Sequence, residues 1–402
     1  MRTVDEHLDT ILSAVPLLST LDIALLEAAG TVLAEPVTAP VPLPPFDNSA
    51  MDGYAVCASD VATASAETPV ILPVIGDVAA GDLTVSAIRP GLSVRIMTGA
   101  PMPAGADAVV PVEWTDGGTA QVRIDRPAPA GNYIRRAGDD VAAGQVVLEP
   151  GTRLAATQLG MLAAVGLARA TVRPKPRVVV LSTGSELREP GSQIVPGQIW
   201  DSNSFMLTAA VAEAGGVGYR QSTVGDEPGK VLETIEDQLV RADAIITSGG
   251  VSMGARDVVK EVLSGVGTME FTKVAMRPGA PQGFGLIDGR TPIFTLPGNP
   301  VSAYVSFQVF VRPALRAMQG LPPESLPAVT AVLSRDVTSP AALRHYLRAE
   351  LALSGGAYTV TPAGGQGSHQ LAALSSASGL IVVPEGVDAI PAGSHVDVLR
   401  LP

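Results

Sequence analysis

The alternation of short apolar runs with helical stretches between residues 177 and 320 constrains this chain more than any other feature. Residues 178–181 form a continuous apolar run that stops at Thr183-Gly184-Ser185-Glu186. A helical pattern over 201–214 closes at Gly215-Gly216, and 218–224 reads as the next strand, ending at Gly225-Asp226-Glu227. Pro228 suits the first position of a second helix, and 243–247 is a third apolar run. A β-α-β-α-β order with strands apolar throughout predicts a doubly wound parallel sheet with helices on both faces, because such strands are buried on both sides. Further candidate strands at 269–275 and 293–295 end in Met276-Arg277-Pro278-Gly279-Ala280-Pro281 and Leu296-Pro297-Gly298-Asn299-Pro300, and a long helix over 301–318 closes the unit.

Ligands of such sheets bind outside the carboxyl ends of the strands. Each strand here ends in an unusual loop: TGSE, GDE, SGGVSMG, RPGAP and LPGNP. Ser248-Gly249-Gly250 lets the backbone come close to a ligand, and a strand that feeds a helix through a small-residue loop turns N–H groups toward anions. One such loop alone is a tight turn. Together on one edge they point to a phosphate-bearing ligand. Neither GxGxxG nor GxxxxGK[ST] occurs there, which argues against dinucleotide and Walker-type sites.

The same edge collects Glu186, Asp226 and Asp257. Like charges about 4 Å apart repel by about 4 kcal/mol at an effective dielectric of about 20, and an anionic ligand adds to that repulsion. A hard cation with oxygen ligands, most simply Mg²⁺, relieves it. Lys273 and Arg277 add fixed positive charge. The competing reading is that Asp226 and Asp257 merely cap helices. His7, His345, His369 and His395 show no zinc spacing, no G-x-S-x-G elbow is present, and Cys57 reads as structural.

Composition narrows the class. The 402 residues are 46% hydrophobic and 16% charged, ample for several packed cores. A net charge of −12 argues against nucleic acid and anionic membranes as partners, since both require a cationic footprint. Asp5, Glu6 and Asp9 stand where a signal peptide needs an apolar run, and the least charged stretch, 154–168, is too short to span a bilayer. The expectation is a soluble cytoplasmic protein.

Punctuation along the chain predicts four domains. Thr3 and Glu6 form a capping-box pattern ahead of Val4, Leu8, Ile11, Leu12 and Val15 on one helical face, and a second helix is expected from Asp22 to Gly30. Residues 36–45 are a proline-dense linker. Residues 1–45 and 141–174 are assigned to an N-terminal helical and linker domain, interrupted by a mostly-β insertion at 46–140. The α/β domain follows at 175–322, and a small C-terminal β-barrel or sandwich at 323–402. Loops 98–107, 132–140 and 364–369 stand out within the β regions; paired arginines beside paired acids in the second read first as a solvated salt-bridge cluster.

The motifs FDNSAMDGYA (46–55), RIMTGAPMPAGAD (95–107), STGSEL (182–187), DSN (201–203), SGGVSMGARD (248–257) and LPGNPVSA (296–303), in this order, resemble the molybdopterin molybdenumtransferase (MoeA) family. The family also includes the C-terminal part of gephyrin, and the resemblance spans nearly the whole chain. It implies insertion of molybdenum from molybdate into adenylylated molybdopterin, with Mg²⁺ and release of AMP. It implies a homodimer with a cleft shared between the α/β domain of one subunit and the β insertion of the other. A molybdopterin adenylyltransferase and recipient molybdoenzymes are implied as partners. By motif, Glu186, Asp226 and Asp257 are expected to line the cleft and hold the metal. Lys273 and Asp52 join them as catalytic groups. Thr98, Arg135, Asp140, Thr183, Gly184, Ser248, Gly249, Gly250, Ser252, Arg277, Pro297, Asn299, Pro300 and Ser368 are expected at the substrate. Three positions depart from the family pattern: Ser185 for a frequent Asp, Arg277 for a common Lys, and Ala280 for another frequent Lys. Two alternatives share the α/β domain: a molybdopterin adenylyltransferase, usually a single domain, and a non-catalytic scaffold.

Overall fold

The computed structural model describes every residue except 83–86, 223–224, 226 and 252–257. The chain divides into two compact units, one of Met1–Ile23, Ala28–Ala34 and Thr171–Pro402, the other of Ala24–Glu27 and Glu35–Ala170.

The first unit opens with helix α1 (Val4–Ala14). Thr3 Oγ1 accepts from the Glu6 amide at 3.1 Å and the Glu6 carboxylate accepts from the Thr3 amide at 2.8 Å, so the capping box is present as the sequence predicts. The helix expected from Asp22 does not form: Leu21–Ala24 is a strand, and turns follow it to Gly30. Helical periodicity over so short a stretch does not decide between the two, and Leu21–Ala24 instead takes the edge of a three-stranded sheet.

The second unit carries a five-stranded sheet. Its strands are β1 (Gly53–Val56), β2 (Val70–Val78), β3 (Ser93–Ile96), β4 (Ala108–Pro111) and β5 (Gln121–Ile124), in spatial order β4-β1-β3-β2-β5. One face buries Tyr54, Leu72, Val110, Val122 and Ile124, the other Ala55, Val94, Ile96 and Val109. Helix α2 (Ala156–Ala164) also belongs to this unit.

The first unit resumes with the α/β region. Along the chain run β6 (Arg177–Ser182), β7 (Leu187–Arg188), β8 (Ile199–Trp200), α3 (Asn203–Glu213), β9 (Val217–Arg220), α4 (Pro228–Leu239) and β10 (Ala244–Ser248). Then come α5 (Val258–Leu263), β11 (Glu270–Lys273), β12 (Pro281–Ile287), β13 (Thr291–Leu296), α6 (Pro300–Ser306), one π-helical turn (Phe307–Val311) and α7 (Arg312–Met318). The sheet order is β9-β6-β10-β13-β12-β11. Strands β9, β6, β10 and β13 are parallel, as expected; β12 pairs antiparallel to β13, and β11 antiparallel to β12. The sheet is therefore mixed. Its antiparallel member β12 holds Gly283 and Gly285, whose lack of side chains weakens the strand signal in the sequence. Those glycines are where Phe271 of the neighbouring strand β11 and Met269 just before it pack: a Cβ on Gly283 would lie 2.8 Å from the Phe271 ring.

Both faces of this sheet are covered. Val178, Val180, Ile246 and Phe294 point to one side against Leu207 and Val211 of α3 and Val305 of α6. Val179, Leu181, Ile245 and Ile293 point to the other, against Val231 and Ile235 of α4 and Val259 and Leu263 of α5. Alternate residues of one strand thus enter two different cores, which is why β6 and β10 carry no polar face. Helix α1 joins the first of these cores through Val4 and Ile11, with His7 edge-on to Phe310 at 4.8 Å.

The C-terminal region closes on itself. Strands β14 (Ala328–Leu333), β15 (Arg344–Ser354), β16 (Ala357–Pro362), β17 (Gly379–Val383) and β18 (His395–Arg400) pair in the ring β15-β16-β14-β18-β17-β15, a small barrel without free edges at these strands.

Candidate active site

The parallel strands β6, β10 and β13 stop level with one another. Ser182 is opposite Ser248, and Ser248 opposite Leu296. The chain then leaves the sheet through small residues. Gly249 has φ +94° and Gly250 φ +82°, conformations that disfavour a side chain, and a Cβ on Gly249 would sit 2.9 Å from the Thr183 carbonyl. A cavity of about 610 Å³ opens at this edge. It is lined by Ser182, Thr183, Gly184, Glu186, Leu187, Ile199, Trp200, Asp201, Ser202, Asn203, Ser248, Gly249, Gly250, Val259, Gly298, Asn299, Pro300, His369 and Leu371. The volume is that of a pocket for a small organic ligand.

The loop from Thr183 to Asp201 forms a flap over one side. Its two short strands, β7 and β8, pair in parallel, and the Ile199 amide donates to the Glu186 carbonyl at 3.0 Å. Its base is tied by a buried contact: Ser182 Oγ donates to Asp201 Oδ1 at 3.0 Å. Asp201 is 1% exposed; it also accepts from the Ser204 amide at 3.1 Å and the Ser204 hydroxyl at 2.5 Å, and so caps α3. Its far side is tied by Arg220 at the end of β9, which donates to both Glu189 oxygens at 3.0 and 2.8 Å.

Glu186 sits in the flap facing the strand ends. Gly184 makes room for it: a Cβ there would lie 2.6 Å from Glu186 Oε2. The Glu186 carboxylate has no hydrogen-bond or ion-pair partner among the described residues. Asn203 holds the opposite wall together, donating from Nδ2 to Ser248 Oγ at 2.8 Å and to the Gly298 carbonyl at 2.6 Å. Asn299 and Pro300 begin helix α6, and the Ser368 carbonyl accepts from the Val301 amide at 3.1 Å, bringing His369 to the rim.

The structure thus gathers Thr183, Gly184, Glu186, Ser248, Gly249, Gly250, Asn299 and Pro300 around one cavity. Pro297 and Ser368 touch its framework rather than its surface: the Pro297 carbonyl faces Ser248 Oγ at 3.5 Å. Asp226, Ser252 and Asp257 lie outside the described residues. Lys273 ends β11, two strands beyond β13, so about 10 Å further along the same edge. Arg277 pairs instead with His345 at the start of β15 and is exposed. Neither cation lines the cavity. The antiparallel strand β12, unread in the sequence, is what separates Lys273 from the cavity; for Arg277 it is the pairing with β15. Asp201 and Asn203 are site residues to which the motif DSN gave no role; only their contacts across the strand ends reveal one.

The residues expected from the β insertion lie in the second unit. Asp52 accepts from the Thr98 amide at 2.7 Å and the Thr98 hydroxyl at 2.9 Å; these bonds hold its carboxyl below the usual carboxylate range. Arg135 pairs with Asn48 through a short antiparallel ladder, and Asp140 donates its amide to the Leu43 carbonyl at 3.0 Å; both side chains are exposed. The neighbouring Arg136, not Arg135, forms the ion pair of this loop, with Asp47 at 2.6 Å.

The cavity's donors suit a hard cation by type. Hydroxyls of Thr183 and Ser248 and the Glu186 carboxylate are oxygen ligands, and His369 is the sole imidazole of the described lining. By number they fall short: among the described residues no three His, Cys, Asp or Glu gather to hold a metal. Both oxygens of Asp201 are already engaged. Also among the described residues, no helix is long and apolar enough to cross a membrane.

Comparisons with known proteins agree with this architecture along its full length. Residues 2–166 match the family model described as the MoeA N-terminal region (domain I and II), 179–317 the probable molybdopterin binding domain, and 330–401 the MoeA C-terminal region (domain IV). Molybdopterin molybdenumtransferase 2 of Mycobacterium tuberculosis is 48% identical over 407 residues, covering 100% of both chains. Molybdopterin molybdenumtransferase of Bacillus subtilis is 35% identical, over 94% of this chain and 89% of its own. The crystal structure of the molybdopterin biosynthesis MoeA protein from Pyrococcus horikosii superposes with a TM-score of 0.83 at 31% identity, covering 99% and 98% of the two chains. Full-length identity of this order, with every region matched in sequence and shape, establishes that the chain belongs to the MoeA family.

Proposed function

We propose that this chain is a molybdopterin molybdenumtransferase that inserts molybdenum from molybdate into adenylylated molybdopterin, releases AMP and depends on Mg²⁺. The observation that carries this reading is the oxygen-lined cavity at the ends of β6, β10 and β13. Gly249 and Gly250 keep Cβ atoms off its floor, so an anionic ligand can approach the backbone closely. Glu186, with Asp226 and Asp257, would hold Mg²⁺. The cation would neutralise charge developing on the phosphate as AMP leaves. Ser248, Thr183 and Asn299 orient the ligand through hydroxyl and carboxamide groups. Lys273 and Arg277 are exposed cations positioned to meet an anion outside the cavity rather than within it. Asp52, Thr98, Arg135 and Asp140 are assigned as substrate contacts of the second unit. The working form is taken to be a cytoplasmic homodimer that receives its substrate from a molybdopterin adenylyltransferase and hands its product to molybdoenzymes.

The test is AMP release by purified protein supplied with adenylylated molybdopterin, molybdate and Mg²⁺. Glu186→Gln keeps the shape and removes the charge; it is expected to slow release about 10²-fold or more, the usual scale for losing one electrostatic contact to a transition state. Absence of AMP from the wild-type reaction would sink the assignment. Full activity in Glu186→Gln would remove Glu186 from the site while leaving the family reading intact.

A further inference from the structure

Trp200 is an odd residue to find on the flap. It ends β8, lines the cavity and keeps 49% of its surface exposed; Ile199 beside it keeps 55%. Its polar edge is already satisfied, because the indole N–H donates to the Ser192 carbonyl at 2.8 Å within the flap itself. That bond fixes the ring and leaves its apolar faces as the surface on offer. Most of the wall elsewhere is small or polar, with Gly184, Gly249, Gly250, Thr183 and Asn299. A large indole left half bare forfeits hydrophobic stabilisation unless something flat covers it. The flap that carries it is held from behind: Arg220 grips Glu189 with both guanidinium ends and lies over the Phe205 ring at 4.2 Å. The shelf is therefore built before ligand arrives.

We propose that Trp200 is the stacking surface for a planar nitrogen heterocycle of the ligand. The inference rests on the cavity being the substrate site, as read above, and adds which group meets the flap. The substrate of that reading has two such rings, an adenine and a pterin, and the same stacking chemistry serves either.

Calorimetric titration separates them, with AMP as one probe and neopterin as the other, on wild type, Trp200→Ala and Trp200→Phe. Base–aromatic stacking predicts a loss of about ten- to hundred-fold in affinity for one probe in Trp200→Ala, with Trp200→Phe within about threefold of wild type. The chain has 2 tryptophans, so Trp114→Phe leaves Trp200 as the only indole, and the same probe should quench its fluorescence saturably. Thermal unfolding of each variant shows that the fold is retained. Unchanged affinity for both probes in Trp200→Ala, or no binding of either to wild type, overturns the proposal. The AMP-release assay keeps the two readings apart. Ring binding lost in Trp200→Ala, with no AMP release by wild type, sinks the transferase and keeps the shelf. AMP release with an unchanged KM in Trp200→Ala sinks the shelf and keeps the transferase.

Discussion

Asn203 bridges the ends of β10 and the turn before α6 with a single carboxamide, and no neutral residue of similar size but without the amide N–H donors can replace both bonds. Asn203→Asp turns two donated hydrogen bonds into oxygen facing oxygen at the Gly298 carbonyl. Leaving such buried groups unpaired costs about 1–3 kcal/mol each. The expected result is a fall in thermal midpoint of several degrees, measured by calorimetry, together with a loss of turnover larger than that of Asn203→Ser. An aspartate variant as stable and active as wild type would show that the wall does not need the bridge. The sequence presented Asn203 only as one letter of a motif. Its partners are 45 and 95 residues away, so nothing local could name its role.

At the scale of elements, the flap and the strand ends are held by contacts that join different parts of the sheet. Arg220 and Glu189 form a two-pronged pair in which the side chains are 25% and 44% exposed. Geometry of this kind lifts a surface pair to about 1 kcal/mol, with solvent screening keeping it from being more. In a double-mutant cycle, Arg220→Met and Glu189→Gln should each lower stability, and the pair should lose less than the sum by about that amount. On the proposed function, in which Glu186 helps hold Mg²⁺, the same variants should raise the Mg²⁺ concentration needed for half-maximal AMP release, because Glu186 rides on the flap they hold. Additive stability effects and an unchanged Mg²⁺ requirement would detach the clamp from the site. The strands of this region were readable because both faces are buried and the residues are apolar throughout; β12 was not, because Gly283 and Gly285 there make space for Phe271 of β11 and Met269 just before it.

For the molecule as a whole, two buried histidines couple stability to pH. His7 and His345 are 2% and 4% exposed, and each has an Nδ1 with no hydrogen-bond partner. Burial, then the nearby Arg2, pushes His7 down to about 4; burial, then Arg277 and Arg348, pushes His345 down to about 4. The unfolded chain binds these protons near the ordinary 6.5, the folded chain only near 4. Between those values the unfolded state carries more protons, so the stability is complete above the upper value and lost as pH falls through the window. The slope is up to about 1.4 kcal/mol per pH unit for each group. Denaturant titrations at about pH 7 and about pH 5 should show the loss, and His7→Leu should remove roughly half of it. An identical pH dependence in that variant would place the effect elsewhere.

The order of the parallel strands and their helices, the loops that end those strands, the closing β region and the family itself were fixed by residues in sequence, because apolar periodicity and glycine-rich turns are local properties; the strand at Leu21–Ala24 and β12 were not. Which loops meet was decided by folding alone. Thr183, Ser248 and Asn299 converge because three parallel strands finish in register, whereas Lys273 is set beyond the cavity by one antiparallel strand and Arg277 is drawn to β15 of the C-terminal region. Register and strand direction depend on backbone pairing between distant segments, and a linear string of side chains does not encode that pairing in any one place.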